Sequence, residues 1–357
     1  MLDALPKLRL TTAKEPIKEE TPPSPRGISA TIPPPGTLPP SEFIDFTKQN
    51  QSLIHSCPCC ISASARQELK TRVESTFSLM TNTNQDSVQF KETISKLDKT
   101  ELQEMVSFMT SDPDYFMSIA RNEQGSKRIQ KLLGKSDDVD AIFYAAIKRL
   151  FLHVMTDKNA SYVAVRAMRV FDDVKKDSMC KLILRNALRL ASDQHGCIAF
   201  NEILTDLDIP YCRYDLLDVV AHNALSLSND AYGNFVVQHV LKLNDLWSTE
   251  TIAIRLRGHC VDLSLQKHGS YIVERLLEVN ESMVLVVKEL LECENKKLMT
   301  LARSDCGNFV VAKALTVTKV SRVDLFMGLV HKLMPFLPLL RKPSRGSNIA
   351  AILDSIP

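Results

Sequence analysis

A short pattern returns along this chain every 35 to 39 residues, and a period of that length narrows the possible folds more than any other feature. It is sharpest at Tyr232-Gly233-Asn234-Phe235-Val236-Val237-Gln238, His268-Gly269-Ser270-Tyr271-Ile272-Val273-Glu274 and Cys306-Gly307-Asn308-Phe309-Val310-Val311-Ala312. Gln124-Gly125-Ser126-Lys127-Arg128-Ile129-Gln130 fits as well. Weaker copies lie at Ala160-Ser161-Tyr162 and Gly196-Cys197-Ile198, with a last relative at Gly346-Ser347-Asn348-Ile349-Ala350. Such self-similarity belongs to stacked repeats, where each unit buries its apolar face only against its neighbours.

Within one copy the apolar residues Val236, Val237, Val240 and Leu241 follow the spacing of one helix face. The same columns hold Ile272, Val273, Leu276 and Leu277, then Val310, Val311, Ala314 and Leu315, with Ile129, Leu132 and Leu133 in the first copy. Off that stripe lie polar pairs four residues apart: Asn234/Gln238, Ser270/Glu274, Ser126/Gln130 and, with alanine second, Asn308/Ala312. Beside the first member stand Phe235, Tyr271, Lys127 and Phe309. A face that alternates hydrogen-bonding side chains with flat or cationic ones suits unstacked nucleobases, whose edges can be bonded and whose rings can be stacked upon. Partly buried packing is the rival reading for the aromatic column, and an ordinary solvated face is the rival for the polar one.

A helical run precedes each such helix, as in 214–220 and 283–291, so one repeat holds two or more helices; no strand-like alternation is sustained. The glycine column (125, 196, 233, 269 and 307) is read as structural, allowing a tight helix start or the close approach of a neighbour. His195 and His268, just before it, suggest hydrogen bonding at the helix start. Cys197 and Cys306 read as packing or face residues, because no His and carboxylate set recurs with them. The segment 207–210 reads as a break between the third and fourth copies, and 244–247 as a loop after the fourth.

Residues 1–42 contain ten of the seventeen prolines, and 1–62 is expected to be a disordered Pro-rich region. Residues 63–109 are expected to form a helical N-terminal cap, and 110–357 the repeat domain. The net charge is only +2, low for a nucleic-acid binder, so a local basic face is required. Lys127, Arg128, Lys131, Arg166, Arg169, Lys242, Arg275 and Lys313 lie on or beside the proposed reading helices. Nine cysteines without regular spacing, and no export signal, imply reduced thiols in a cytoplasmic protein. Cys57, Cys59 and Cys60 after His55 resemble a metal site only faintly, since a second separated ligand pair is lacking; a loop with free thiols is the expectation. No apolar run looks long enough to span a bilayer. Neither a metal nor another cofactor, nor a small-molecule substrate, is implied, and no catalytic set is visible.

These motifs, from about residue 110 to the C-terminus, resemble the Pumilio (PUF) family of RNA-binding repeat proteins, most closely at 233–238, 269–274 and 125–130. The resemblance implies an all-α, right-handed, curved α-solenoid whose concave face binds single-stranded RNA, one base per repeat. It implies uracil for Asn/Gln, guanine for Ser/Glu, and adenine for Ser or Cys with Gln, with the RNA antiparallel to the protein. Asn308 and Phe309 would then meet a 5′ uracil, Ser270, Tyr271 and Glu274 a guanine, and Asn234, Phe235 and Gln238 a second uracil, spelling UGU. Ser126, Lys127 and Gln130 would favour adenine further 3′. The sequence departs from the family pattern at Ala312, at Ser161 and Tyr162 with Val165, and at Cys197 with Asn201 and Ile198; Ser161, Tyr162, Cys197 and Asn201 are therefore weaker candidate contacts. About six reading repeats are expected where the family has eight, with 340–353 resembling the C-terminal cap. The resemblance further implies recognition of mRNA 3′ untranslated regions, control of translation and mRNA stability, and recruitment of protein co-regulators. The rival is an armadillo- or HEAT-like solenoid that would hold peptides on the same face and needs no ordered series of polar pairs.

Overall fold

The structure, a computed structural model, describes residues 63–83, 87–342 and 345–356. The expected disordered region and the cluster of His55 with Cys57, Cys59 and Cys60 lie outside the described residues. Every regular element among the described residues is helical.

The repeating unit is a triplet: a long first helix, a short second one and a third that carries the recurrent motif. Repeat four shows the logic. Pro210–His222 begins with proline at its first turn, where a missing N–H costs nothing, and buries Leu216, Leu217 and Val220. Ala224–Ser228 follows, then Gly233–Lys242, which buries Val236, Val237, Val240 and Leu241. The third helices are Glu123–Leu132, Ser161–Val170, Gly196–Asp206, Gly233–Lys242, Lys267–Leu276 and Gly307–Ser321, and they define repeats one to six. Each packs on the next, and Gly307–Ser321 packs on Ser347–Asp354 in the same way. The fold is an α-solenoid with a continuous apolar core.

Three boundaries differ from the sequence reading. The first triplet opens with Lys99–Ser111, so a border at 110 falls inside a helix. Residues 207–209 do not break the array: third helices three and four pack across them, and Pro210 simply starts the next first helix. Leu246 and Trp247 are helical rather than looped, because Asp245 caps Leu246–Arg255 by accepting from the Ser248 N–H at 2.7 Å. The last unit, Val323–Leu333, Leu337–Leu340 and Ser347–Asp354, repeats the long, short, third order.

Ala63–Thr81 covers the open end of the stack at repeat one. Tyr115 donates its hydroxyl to the Val73 carbonyl at 2.8 Å. The buried Arg128 guanidinium donates to the carbonyls of Leu79 and Asn82, each at 2.8 Å, and lies over the Phe90 ring.

By length and composition the helical run Val323–Leu340 could cross a membrane, contrary to the expectation from sequence. Packing accounts for part of its apolar character, since a third of the run is buried. Leu325, Phe326, Leu329, Val330 and Leu333 are buried against the first helix of repeat six and Gly307–Ser321, and Lys332 donates to the Leu291 carbonyl at 2.6 Å.

Candidate nucleic-acid interface

Each third helix starts against its own repeat. A Cβ on Gly269 would lie 2.3 Å from the Leu263 carbonyl oxygen, and one on Gly125 would lie 2.0 Å from that of Ile119. The neighbour is six residues upstream in both, and the same carbonyl offset holds for Gly196, Gly233 and Gly307; at Gly346 the residue six upstream, Leu340, approaches through its side chain. The glycine column therefore admits the backbone of the preceding short helix. A second recurrent signal, missed from sequence, stands three residues before the glycine. Asn122, Asp193 and Asp230 each accept two N–H groups at the turn, one of them the glycine's, at 2.7–3.0 Å. Asp157 does the same before Ala160. In repeat three the Asp193 oxygen, and not the His195 side chain, satisfies the helix start; in repeat six Ser304 Oγ accepts from the Gly307 N–H at 2.9 Å, and repeat five, with Gln266 at this position, has no side-chain cap. The His268 ring instead lies edge-on to Phe235, centroids 5.2 Å apart, with its Nδ1 buried and unpartnered.

The first polar column is not exposed, which corrects the sequence reading. Ser126, Ser161, Cys197, Asn234, Ser270 and Asn308 are all at most 5% exposed. For Asn234, Ser270 and Asn308 the preceding turn takes up the side-chain donors, while Ser126 is tied to the next repeat. Asn234 Nδ2 donates to the Asp230 and Ala231 carbonyls at 2.8 and 3.0 Å, and Asn308 Nδ2 to those of Ser304 and Asp305. Ser270 Oγ donates to the Lys267 carbonyl at 3.0 Å, and Ser126 Oγ to that of Asn159 at 2.7 Å.

The second column is half-buried and reaches the surface. Gln238 Nε2 donates to Asn234 Oδ1, and Gln130 Nε2 to Ser126 Oγ, both at 3.1 Å. The buried residue thus orients the outer one, leaving the glutamine carbonyl as an acceptor. Desolvation raises the Glu274 carboxyl above its ordinary range, with Lys313 pulling the other way. Repeats two and three lack this feature: Val165 is buried, and Asn201 Oδ1 is buried without a partner. Ala312 is buried too.

The flat column is exposed. Tyr162, Ile198, Phe235, Tyr271 and Phe309 are 44–54% accessible, and Lys127 continues the row at repeat one. Equivalent register on side-by-side helices sets them on one side of the stack. Large apolar side chains left exposed in such a series, above a core that is otherwise closed, mark a contact surface.

The basic row is less available than the sequence suggests. Arg128 faces the N-terminal helices. Arg169 pairs with Asp206 at 2.6 Å and reaches Glu202 at 3.5 Å, so it bridges repeats two and three. Lys127 pairs with Glu123. Lys313 and Arg275 both bind Glu278, at 2.6 and 2.8 Å, joining repeats five and six. Burial opposes ionisation of Glu278, but these two bonds outweigh it and hold its carboxyl below the usual range. Gln238, Tyr271, Glu274, Glu278, Arg275 and Lys313, with Lys242, line a cleft of about 310 Å³ across repeats four to six. Among the described residues no group of three or more His, Cys, Asp or Glu could hold a metal ion.

Comparison with known proteins adds a family to this geometry. A Pumilio-family RNA binding repeat model matches residues 186–208, 223–246 and 259–290, from repeat three into the first helix of repeat six. Pumilio homolog 18 of Arabidopsis thaliana is 57% identical over 333 residues, 93% of each chain. Putative pumilio homolog 19 of the same plant is 63% identical over 279 residues, 78% of this chain and 85% of the relative. Among solved structures, the Puf4 RNA binding domain bound to an HO endonuclease RNA 3′ UTR recognition sequence superposes with a TM-score of 0.67 at 20% identity, covering 86% of this chain and 94% of that one. PUF-8 in complex with PBE-RNA gives 0.62 at 18%, covering 87% and 89%.

Proposed function

The chain belongs to the Pumilio family, and from that premise we propose that it binds single-stranded RNA along its row of third helices, in a sequence-specific way. The exposed flat column carries this reading. Packed helices lie about 8–10 Å apart, and a base about 3.4 Å thick fits between successive side chains. Stacking is tolerant of base identity, so selection falls to the edge-reading column.

The buried first column changes how that selection works. Asn234 and Ser126 act as supports, and Gln238 and Gln130 meet the base. Gln238 offers a carbonyl to the uracil N3–H and its second amide proton to a uracil oxygen. Glu274 offers two acceptors to the N–H groups of guanine. Asn308 has no glutamine above it, so the 5′ uracil is held mainly by Phe309 and is the least selected letter of UGU. Tyr162 stacks without reading and Ile198 offers only apolar contact, which makes the middle of the site permissive.

In function the protein recognises mRNA 3′ untranslated regions and controls translation and message stability by bringing co-regulators to them. The structures of Puf4 and PUF-8 bound to RNA support the RNA-binding part of this reading through their shared fold. RNA selection with the full chain should enrich UGU-containing sequences. The double variant Asn234→Ser, Gln238→Glu should convert the second uracil to guanine in the enriched pool. An unchanged base profile would refute the assignment of repeat four.

A further inference from the structure

On the first helices, away from the reading column, lies a second exposed aromatic surface. Trp247 is the chain's one tryptophan and is 37% exposed. Its ring lies 5.2 Å from that of Tyr214 and 5.9 Å from that of His222. Tyr214, Asp218 and His222 follow one another along a single face of Pro210–His222, so Trp247 lies across that face from the next first helix. Tyr211 and Leu246 extend the patch at 57% and 63% exposure. Beside it runs a groove of about 520 Å³, lined in part by Leu207, Pro210, Tyr214, Leu217 and Leu243, with Arg213 as a cation in the lining. Core packing does not require these rings to be exposed, and tryptophan and tyrosine are the side chains that most often anchor protein interfaces.

The charge around the patch indicates what covers it. Asp215 and Glu250 are exposed, and Asp218 meets the His222 ring at 3.0 Å. Asp177 accepts from the Tyr211 hydroxyl at 2.8 Å and is paired with Lys181 at 2.7 Å, so Asp215, Glu250 and Asp218 carry the acidic character of the rim. Asp208, at the groove, is balanced by Lys176, and Asp245 caps the helix that carries Trp247. A polyanion such as RNA would be repelled by this rim. A guanidinium matches it, because the group stacks flat on aromatic rings and bonds a carboxylate through two parallel N–H groups.

We propose that the surface formed by Tyr214, Trp247, Asp215 and Asp218 is a docking site for an arginine-bearing peptide of a protein partner. It lies on different helices from the reading column, so peptide and RNA are held at once.

Trp247 is also the reporter. Its fluorescence in the full chain is titrated with a synthetic peptide of alternating arginine and glycine, and with lysine–glycine and glutamate–glycine peptides of equal length. The arginine peptide should give a saturable change. The lysine peptide should bind at least about fivefold more weakly, the loss of flat cation–π contact, and the glutamate peptide should give none. Tyr214→Ala, and separately Asp215→Asn with Asp218→Asn, should each weaken the arginine peptide by about fivefold or more while leaving RNA affinity unchanged. Equal affinity for the arginine and lysine peptides would reduce the site to charge attraction and overturn the proposal. So would the absence of a saturable signal up to about 1 mM peptide, variants that bind like the parent, or displacement of the peptide by RNA.

Discussion

Replacing Glu274 by glutamine separates base reading from folding at a single atom. The side chain is half-buried in the cleft with Tyr271, Gln238 and Lys313. As a carboxylate it presents two acceptors to the two N–H groups of guanine. The amide keeps the shape but turns one acceptor into a donor, so a hydrogen bond is lost and two N–H groups face each other. A hydrogen bond to a charged group contributes about 1.5–3 kcal/mol, so affinity for a UGU-containing RNA should fall about 10- to 100-fold. Affinity for a UUU-containing RNA should hold or rise, since an amide suits uracil. Stability should move the other way. Burial raises the folded-state pKa of Glu274, so between the ordinary carboxyl value and the raised one the folded protein binds more protons than the unfolded chain. That contribution to stability is lost as pH rises through this window, and at neutral pH the ionised group is a cost. The RNA-free variant should therefore melt no lower than the parent at pH 7. Guanine affinity of the parent should weaken as pH falls through the same window, because a protonated carboxyl loses an acceptor. Fluorescence anisotropy with the two RNAs, and calorimetry without RNA, measure both effects. Equal losses on UGU and UUU, or no loss on either, would show that Glu274 does not read a base.

Gly269→Ala places a methyl group 2.3 Å from the Leu263 carbonyl oxygen. Backbone must shift, and the melting curve should report a loss of about 1–3 kcal/mol or more; an unchanged Tm would show that the close approach is not required. Arg128→Met removes both donors to Leu79 and Asn82 while keeping bulk. The expected cost is about 2–4 kcal/mol, with hydrogen-exchange protection lost first in Ala63–Thr81. A uniform loss along the chain would contradict a role confined to closing that end.

The sequence made the stack legible because its signals repeat. The columns of Val236, Val237, Val240 and Leu241 and their equivalents are buried in every copy where they were expected. The flat column was legible for the same reason, since its residues fall off the apolar stripe and are exposed. Periodicity alone could not show what covers a polar residue at the first turn of a helix. Asn234 and Ser270 lie off the stripe in register, yet the turn before them closes over them. Nor could it show that Arg128, on a reading helix, points to the end of the stack and joins helices 46 to 49 residues upstream. The caps at Asn122, Asp157, Asp193 and Asp230 were visible as letters three places before each small residue. Their role needed the turn geometry, in which one carboxylate or amide oxygen meets two successive N–H groups.

The six-residue interval between the glycine and the carbonyl it admits, in five of the six reading repeats, makes those rungs largely self-sufficient. The start of a reading helix is set chiefly by its own neighbour in sequence, with a tie to the next repeat at Ser126. Damage to one rung then blurs a single letter and leaves the others in frame. Repeat two, with Ala160 in the glycine's place and Val165 in the glutamine's, already looks like such a worn letter. An array of this kind can drift in what it reads, one position at a time, without first coming apart.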